Sequence, residues 1–127
     1  MIKEGFIEKD KRKKILLLCD DIRVHSGIAH VGKEIVLKTC HHYNWCQIAG
    51  AVKHPDKGKI IELGDSLDKE YNIKDASVTL YPTDGYGDSR ILRELMKKEK
   101  PDAILFITDP RYFMWAFQIE NEIRKEI

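Results

Sequence analysis

The chain has no apolar run approaching the ~20 residues that a membrane-spanning helix requires, and no apolar h-region follows its N-terminal lysines. These absences exclude a helical membrane span and a secretory signal in the sequence as it stands. Cysteine is scarce: Cys19, Cys40 and Cys46 are an odd number in apolar or helical contexts, which excludes a disulfide framework and fits reduced thiols in a cytoplasmic protein. Charge of one sign is missing too. The 22 basic residues nearly cancel the 21 acidic ones, so no global field draws the chain onto nucleic acid or an anionic membrane. There is no internal repeat and no low-complexity tract, and 127 residues suffice for one hydrophobic core but not for two domains.

What is present is an alternation of short apolar runs with helical patterns. Residues 1–12 are mostly charged and are expected to form a flexible leader that adds little to the core. Ile15 to Cys19 is an unbroken apolar run between lysines and aspartates, the pattern of a strand buried on both faces of a parallel sheet. Ser26 can cap a helix whose apolar stripe is Ile28, Val31, Ile35, Val36 and Thr39, ending near His42. Trp45–Val52 reads as a second strand, and His54 to Gly58 is rich in turn formers. Lys59–Leu63 reads as a short third strand, Gly64–Asp75 as polar and irregular, and Val78–Tyr81 as a strand halted by Pro82. A helix follows with Ile91, Leu92, Leu95 and Met96 on one face and lysines at its C-terminal end, stopped by Pro101. Ala103–Ile107 reads as a second clearly buried strand, and Asp109-Pro110 as the start of a last helix that runs to the end of the chain. This order predicts an α/β fold: a Rossmann-like, three-layer domain over residues 13–127 with a mainly parallel sheet and helices on both faces. The last helix carries no stop signal, so the sequence reads as cut at a domain's middle.

Open parallel sheets bind ligands at the carboxyl ends of their strands. That rule selects the loops Asp20–Gly27, Pro82–Asp88 and Thr108–Tyr112, which carry Asp20, Asp21, Arg23, His25, Ser26, Asp84, Tyr86, Asp109 and Arg111. Gly27–Glu34 (GIAHVGKE) is one residue from a P-loop, but Glu34 replaces the hydroxyl that would hold magnesium, and Asp20–Ser26 separates the motif from its strand. No G-x-G-x-x-G follows the first strand, which argues against a dinucleotide cofactor. Two readings of Ser26 and Gly27 stay open: backbone N–H groups that receive a phosphate or carboxylate, or a plain cap and turn. His25 and His30 are candidates for acid, base or phosphate partner, against a surface role.

Cys40, His41, His42 and Cys46 are zinc ligand types without zinc spacing, so no metal is expected. No cofactor is expected and no catalytic residue is identified. Residues 111–117 pack Tyr112, Phe113, Trp115 and Phe117 into two helical turns; they suit the core, a wall for a sugar ring, or a surface that meets another domain.

The segments Lys13–Asp21 (KKILLLCDD), His25–Ile35 (HSGIAHVGKEI), Thr79–Leu92 (TLYPTDGYGDSRIL) and Lys100–Arg111 (KPDAILFITDPR) together resemble the N-terminal domain of GT-B glycosyltransferases, in the broad group of glycosyl group 1 and phage-encoded enzymes. The resemblance covers Lys13 to Ile127. It implies an acceptor-side domain of an enzyme that moves a sugar from a nucleotide-sugar donor to a hydroxyl acceptor. Ser26-Gly27-Ile28 would take the place of the family's glycine-rich first loop near the donor phosphates, and Asp109 and Arg111 would stand on the acceptor side. The C-terminal donor domain has no counterpart in the chain, which is therefore not expected to turn over alone. The substrate-binding set is thus His25, Ser26, Gly27, Ile28, Asp84, Tyr86, Asp109 and Arg111. A rival reading is a non-catalytic ligand-binding or receiver-like, flavodoxin-like module, prompted by the acidic pair Asp20-Asp21.

Overall fold

The structure, a computed structural model, describes residues 5–20, 22–23, 27–50, 60–82, 89–107 and 118–126. Its elements in chain order are β1 (Lys13–Asp20), α1 (Gly27–Thr39), β2 (Tyr43–Gly50), β3 (Ile61–Glu62), α2 (Gly64–Tyr71), β4 (Val78–Pro82), α3 (Ser89–Glu99), β5 (Ala103–Ile107) and α4 (Glu120–Glu126), with a 3-10 turn at Lys9–Lys11 before them. Five strands form one sheet in the order β3-β4-β2-β1-β5. β1 pairs in parallel with β2 and β5, and β2 in parallel with β4. The two-residue β3 runs antiparallel to β4, so the sheet is mixed but mostly parallel. The fold is α/β, as the alternation of patterns predicts.

The apolar run in β1 is explained by its position. Leu16 and Leu18 face one side, with Cys46 and Ile48 of β2 and Leu92, Leu95 and Met96 of α3, and Ile119 and Ile123 pack onto the same cluster. Leu17 and Cys19 face the other side, with Val36 of α1, Leu67 of α2 and Val78 and Leu80 of β4. Helices therefore cover both faces: α1 and α2 on one, α3 and α4 on the other. The end of α3 follows its sequence closely, with Lys100 left-handed at φ 48°, its N–H on the Met96 carbonyl, and Pro101 next.

Four local expectations are corrected. The stripe that α1 turns to the sheet is Ala29, Gly32 and Val36, while Val31 is 48% exposed. Small residues win because the helix lies so close to β1 that a Cβ at Gly32 would sit 2.9 Å from Cys19 Sγ. The larger Ile28, Ile35 and Leu37 flank that line, half-buried. Second, Gly64–Tyr71 is helical, not irregular. No Ser, Thr, Asp or Asn caps it; instead Glu62 Oε1 accepts the Gly64 N–H at 3.0 Å and the Val78 N–H at 3.2 Å, while Oε2 accepts the Thr79 hydroxyl at 2.6 Å. Asn72 closes the other end in the left-handed region at φ 54°. Third, β5 is less buried than its apolar run predicts. Among the described residues it pairs with β1 alone, with Ile104–Ile107 half-buried and Ala103 exposed. An apolar composition does not tell an edge strand from a central one when helices cover both faces.

The fourth correction concerns the leader, of which residues 5–12 are described. The Ile7 N–H donates to the His41 carbonyl at 2.9 Å, and His42 Nδ1 bonds the Gly5 carbonyl at 2.8 Å. Arg12 is only 7% exposed; its Nε donates to the Ile7 carbonyl at 2.6 Å and its Nη1 to the Asp75 carbonyl at 2.5 Å, beneath the Phe6 ring at 5.2 Å. Burial pulls the guanidinium's pKa down, with Asp75 acting in the opposite direction. The segment is stapled across the amino ends of the strands. The last two residues of the predicted Trp45–Val52 strand, the His54–Gly58 turn, the Asp109-Pro110 helix start and the aromatic run at 111–117 lie outside the described residues. No helix among the described residues is long and apolar enough to cross a membrane.

The glycines give a graded test. A Cβ at Gly64 would collide with the Ala76 backbone carbonyl, whereas at Gly27 it meets nothing within 4 Å. Gly64→Ala is expected to cost about 2–3 kcal/mol, at the upper end of overpacking effects, because backbone must move. Gly32→Ala should cost less, since a single thiol has to give, and Gly27→Ala should leave stability unchanged or slightly raised. Urea denaturation of the three variants checks the ranking.

Candidate functional site

Parallel register brings the carboxyl ends of four strands to one rim: Asp20 lies beside Gly50, Cys19 beside Ile107, and Ala49 beside Pro82. The chain leaves β1 for α1 on one face, and it leaves β5 for the face that carries α3 and α4. Neighbouring strands whose exits diverge in this way open a crevice between them, and in open α/β sheets that crevice is the usual ligand site. By that rule the candidate site of this chain is between the ends of β1 and β5.

The structure anchors all three predicted loops to this rim through the ends of β1, β4 and β5. Of the site residues read from sequence, Gly27 is exposed at the first position of α1. Ile28 is half-buried against the core on the α1 face, and its carbonyl accepts the Cys19 thiol at 3.7 Å. Arg23 is exposed just beyond β1. His25, Ser26, Asp84, Tyr86, Asp109 and Arg111 lie outside the described residues, as does Asp21.

Gln47 is a residue near the rim that the sequence reading passed over. It lies in β2, opposite Leu17 and Leu80, and is 2% exposed. Its Nε2 donates to the Cys19 carbonyl at 3.3 Å, tying the last turn of β1's ladder from the side. A carboxamide in the middle of the apolar run 45–52 is the sequence signal for it, because burying an amide is costly unless it hydrogen-bonds.

The three cysteines are buried and none is in a disulfide. The thiols of Cys40 and Cys46 donate to the carbonyls of Leu37 at 3.5 Å and Ile15 at 3.7 Å. Burial pushes the Cys46 thiol up to about 12, Glu99 adds to the shift, and Lys14 opposes it. Among the described residues no three His, Cys, Asp or Glu side chains converge as a metal site would require. Tyr81, half-buried near the end of β4 with Lys98 Nζ 5.3 Å from its ring centre, has its phenol pushed above the ordinary range by burial first and Glu99 second. Compared with protein-family models, curated proteins and solved structures, the chain matches none.

Linkage gives these shifts a measurable sign. The folded state holds the Cys46 proton to about pH 12, whereas the unfolded thiol releases it near its ordinary value of 9.0. The unfolded state therefore loses protons first on the alkaline side, and stability is expected to fall from about pH 9 upward, more shallowly in Cys46→Ala than in the parent chain. Urea midpoints taken between neutral pH and pH 11 check this. A thiol-specific colorimetric reagent should find no fast-reacting cysteine in the native chain and three in the unfolded one.

Proposed function

We propose that this is a Rossmann-like domain forming the acceptor side of a glycosyltransferase, which in its complete form transfers a sugar from a nucleotide-sugar donor to a hydroxyl acceptor in the cytoplasm. One observation carries the reading. Counting only the parallel strands in chain order, the sheet runs third-second-first-fourth, the order of the first four strands of a Rossmann sheet. A flavodoxin-like receiver runs second-first-third-fourth, with its third strand beside its first. In this chain β2 stands between them, so the strand order favours the glycosyltransferase reading over the receiver.

The chemistry assigned to the crevice follows from charge. Departure of a nucleotide from its sugar leaves negative charge on the diphosphate, and backbone N–H groups at a helix N-terminus meet that charge without reorganisation. In this reading the start of α1 at Gly27 and Ile28, with Ser26 and His25 before it, faces the phosphates. Asp109 and Arg111, which follow β5, are assigned to the acceptor side, and Asp84 and Tyr86, which follow β4, complete the substrate-binding set. The activity is argued by analogy of architecture and by the resemblance of segments, since one fold hosts many reactions.

Titrating the isotopically labelled chain with UDP, GDP and their glucose conjugates tests the reading by NMR. The amides of Gly27, Ile28 and Ile107 should shift saturably, and Gly27→Asp, which adds a carboxylate in open space, should weaken binding by about tenfold or more. A spectrum that none of these nucleotides moves would end the proposal. Uptake of a phosphoryl group from acetyl phosphate at Asp20 or Asp21 would put the receiver in its place.

A further inference from the structure

The side of the domain that ends in β5 carries apolar surface left uncovered among the described residues. There β5 pairs with β1 alone, and its sequence Ala103–Ile107 (AILFI) contains no charge, proline or glycine of the kind that protects an open sheet edge. Ile104 to Ile107 are half-buried and Ala103 is exposed, whereas Leu16 to Cys19 in the neighbouring β1 are at most 1% exposed. Leu105 and Ile107 join the cluster under α1, and Ile104 and Phe106 join the one under α3 and α4, so burial falls short on both faces of the strand.

The helix α1 extends the same surface. Its Ala29, Gly32 and Val36 meet the sheet, while Lys33 and Leu37 turn to one side and line a gap shared with Leu67 and Tyr71 of α2. With 3.6 residues per turn, Ile28, Val31 and Ile35 therefore lie on the opposite flank, toward β5, which α1 touches directly. Val31 is 48% exposed, and Ile28 and Ile35 are half-buried. The charges that border this stripe do not enter it: Glu34 and Lys38 pair with each other at 3.6 Å on the solvent side, with His30 exposed beside them.

We propose that this wall is the interface of a two-fold dimer, with a second copy of the chain as its occupant. A lone added strand completes the ladder of β5 but leaves Val31 in water. A second copy, related by an axis normal to the sheet, covers both: β5 pairs antiparallel with the copy's β5, and the Ile28–Val31–Ile35 flank of α1 meets the same flank of the copy. A five-residue strand is about 17 Å long and a helix about 10 Å across, so a wall of helix, strand and helix buries on the order of 500 Å² per copy. The pair buries about 1,000 Å², the lower bound for a specific interface, which makes the dimer weak and reversible. Antiparallel pairing sets the two carboxyl rims at opposite ends of the joint sheet, so the dimer does not rest on the glycosyltransferase reading.

Sedimentation equilibrium of the full chain, from about 1 μM to about 1 mM, tests it. The mass should rise from 14.8 kDa toward twice that value, with a midpoint in the micromolar range. Val31→Lys sets a charge against the axis and should weaken association by about tenfold or more, and Ala103→Lys should do the same at the strand edge. Both positions are exposed in the single chain, so each variant should keep the parent's circular dichroism spectrum, and Val31→Ile should keep the dimer. In hydrogen exchange, alternate amides of β5 should gain protection as the chain concentration rises. A mass fixed at 14.8 kDa over the whole range would overturn the proposal, as would a dimer that both lysine variants leave intact. So would protection of every β5 amide at all concentrations, which would put a segment of the chain itself at that edge.

Discussion

The structure depends on β1 being enclosed on all four sides. It is paired along both edges, to β2 and to β5, and Leu16 to Cys19 are at most 1% exposed on both faces. Burying four consecutive side chains to this degree supplies several kcal/mol, with each large aliphatic worth about 1.5–3 kcal/mol. A strand so placed cannot turn one face to water. Helices must then pack on both sides, and the chain must cross from one face to the other as it passes from β4 to β5. The crevice at the ends of β1 and β5 is a consequence of that crossing.

Close approach and side-chain capping fix how the outer layer sits on this strand. Gly32 lets α1 settle onto Cys19, and Glu62 starts α2 and holds the amino end of β4 with one carboxylate. Arg12 joins the leader to the turn before β4 through two backbone carbonyls. Burying a guanidinium is costly, and hydrogen bonding with cation–π contact offsets part of that cost, so its effect is better described as fixing the leader's position than as adding net stability. The Glu62 and Arg12 ties lie at the amino ends of the strands, whereas Gly32 and Gln47 meet Cys19 near the carboxyl end of β1.

That division between the two ends bears on function. In open sheets the amino ends serve stability and the carboxyl ends carry ligands. The order of the parallel strands and the exits of β1 and β5 argue for a site at that rim on physical grounds, while sugar transfer is a proposal that rests on the resemblance of four segments.

Much of the fold was legible in the sequence because period and run length encode local backbone directly. The apolar run at 15–19, the helical spacing at 91–96 and Pro101 gave the types and approximate bounds of β1 and α3. The carboxyl-rim rule selects the loops after β1, β4 and β5 from the sequence alone. Neighbours were not legible. β1 and β5 are joined by contacts between residues about as distant as Lys14 and Asp102, whose carboxylate accepts the Lys14 N–H at 2.8 Å, and no local pattern carries such a pairing. The small-residue face of α1, the helix capped by Glu62 and the edge position of β5 were decided by tertiary packing for the same reason. By itself the sequence determined which segments are strands or helices and that the class is α/β; packing of distant segments decided which strands are adjacent, which face each helix covers and where the crevice opens.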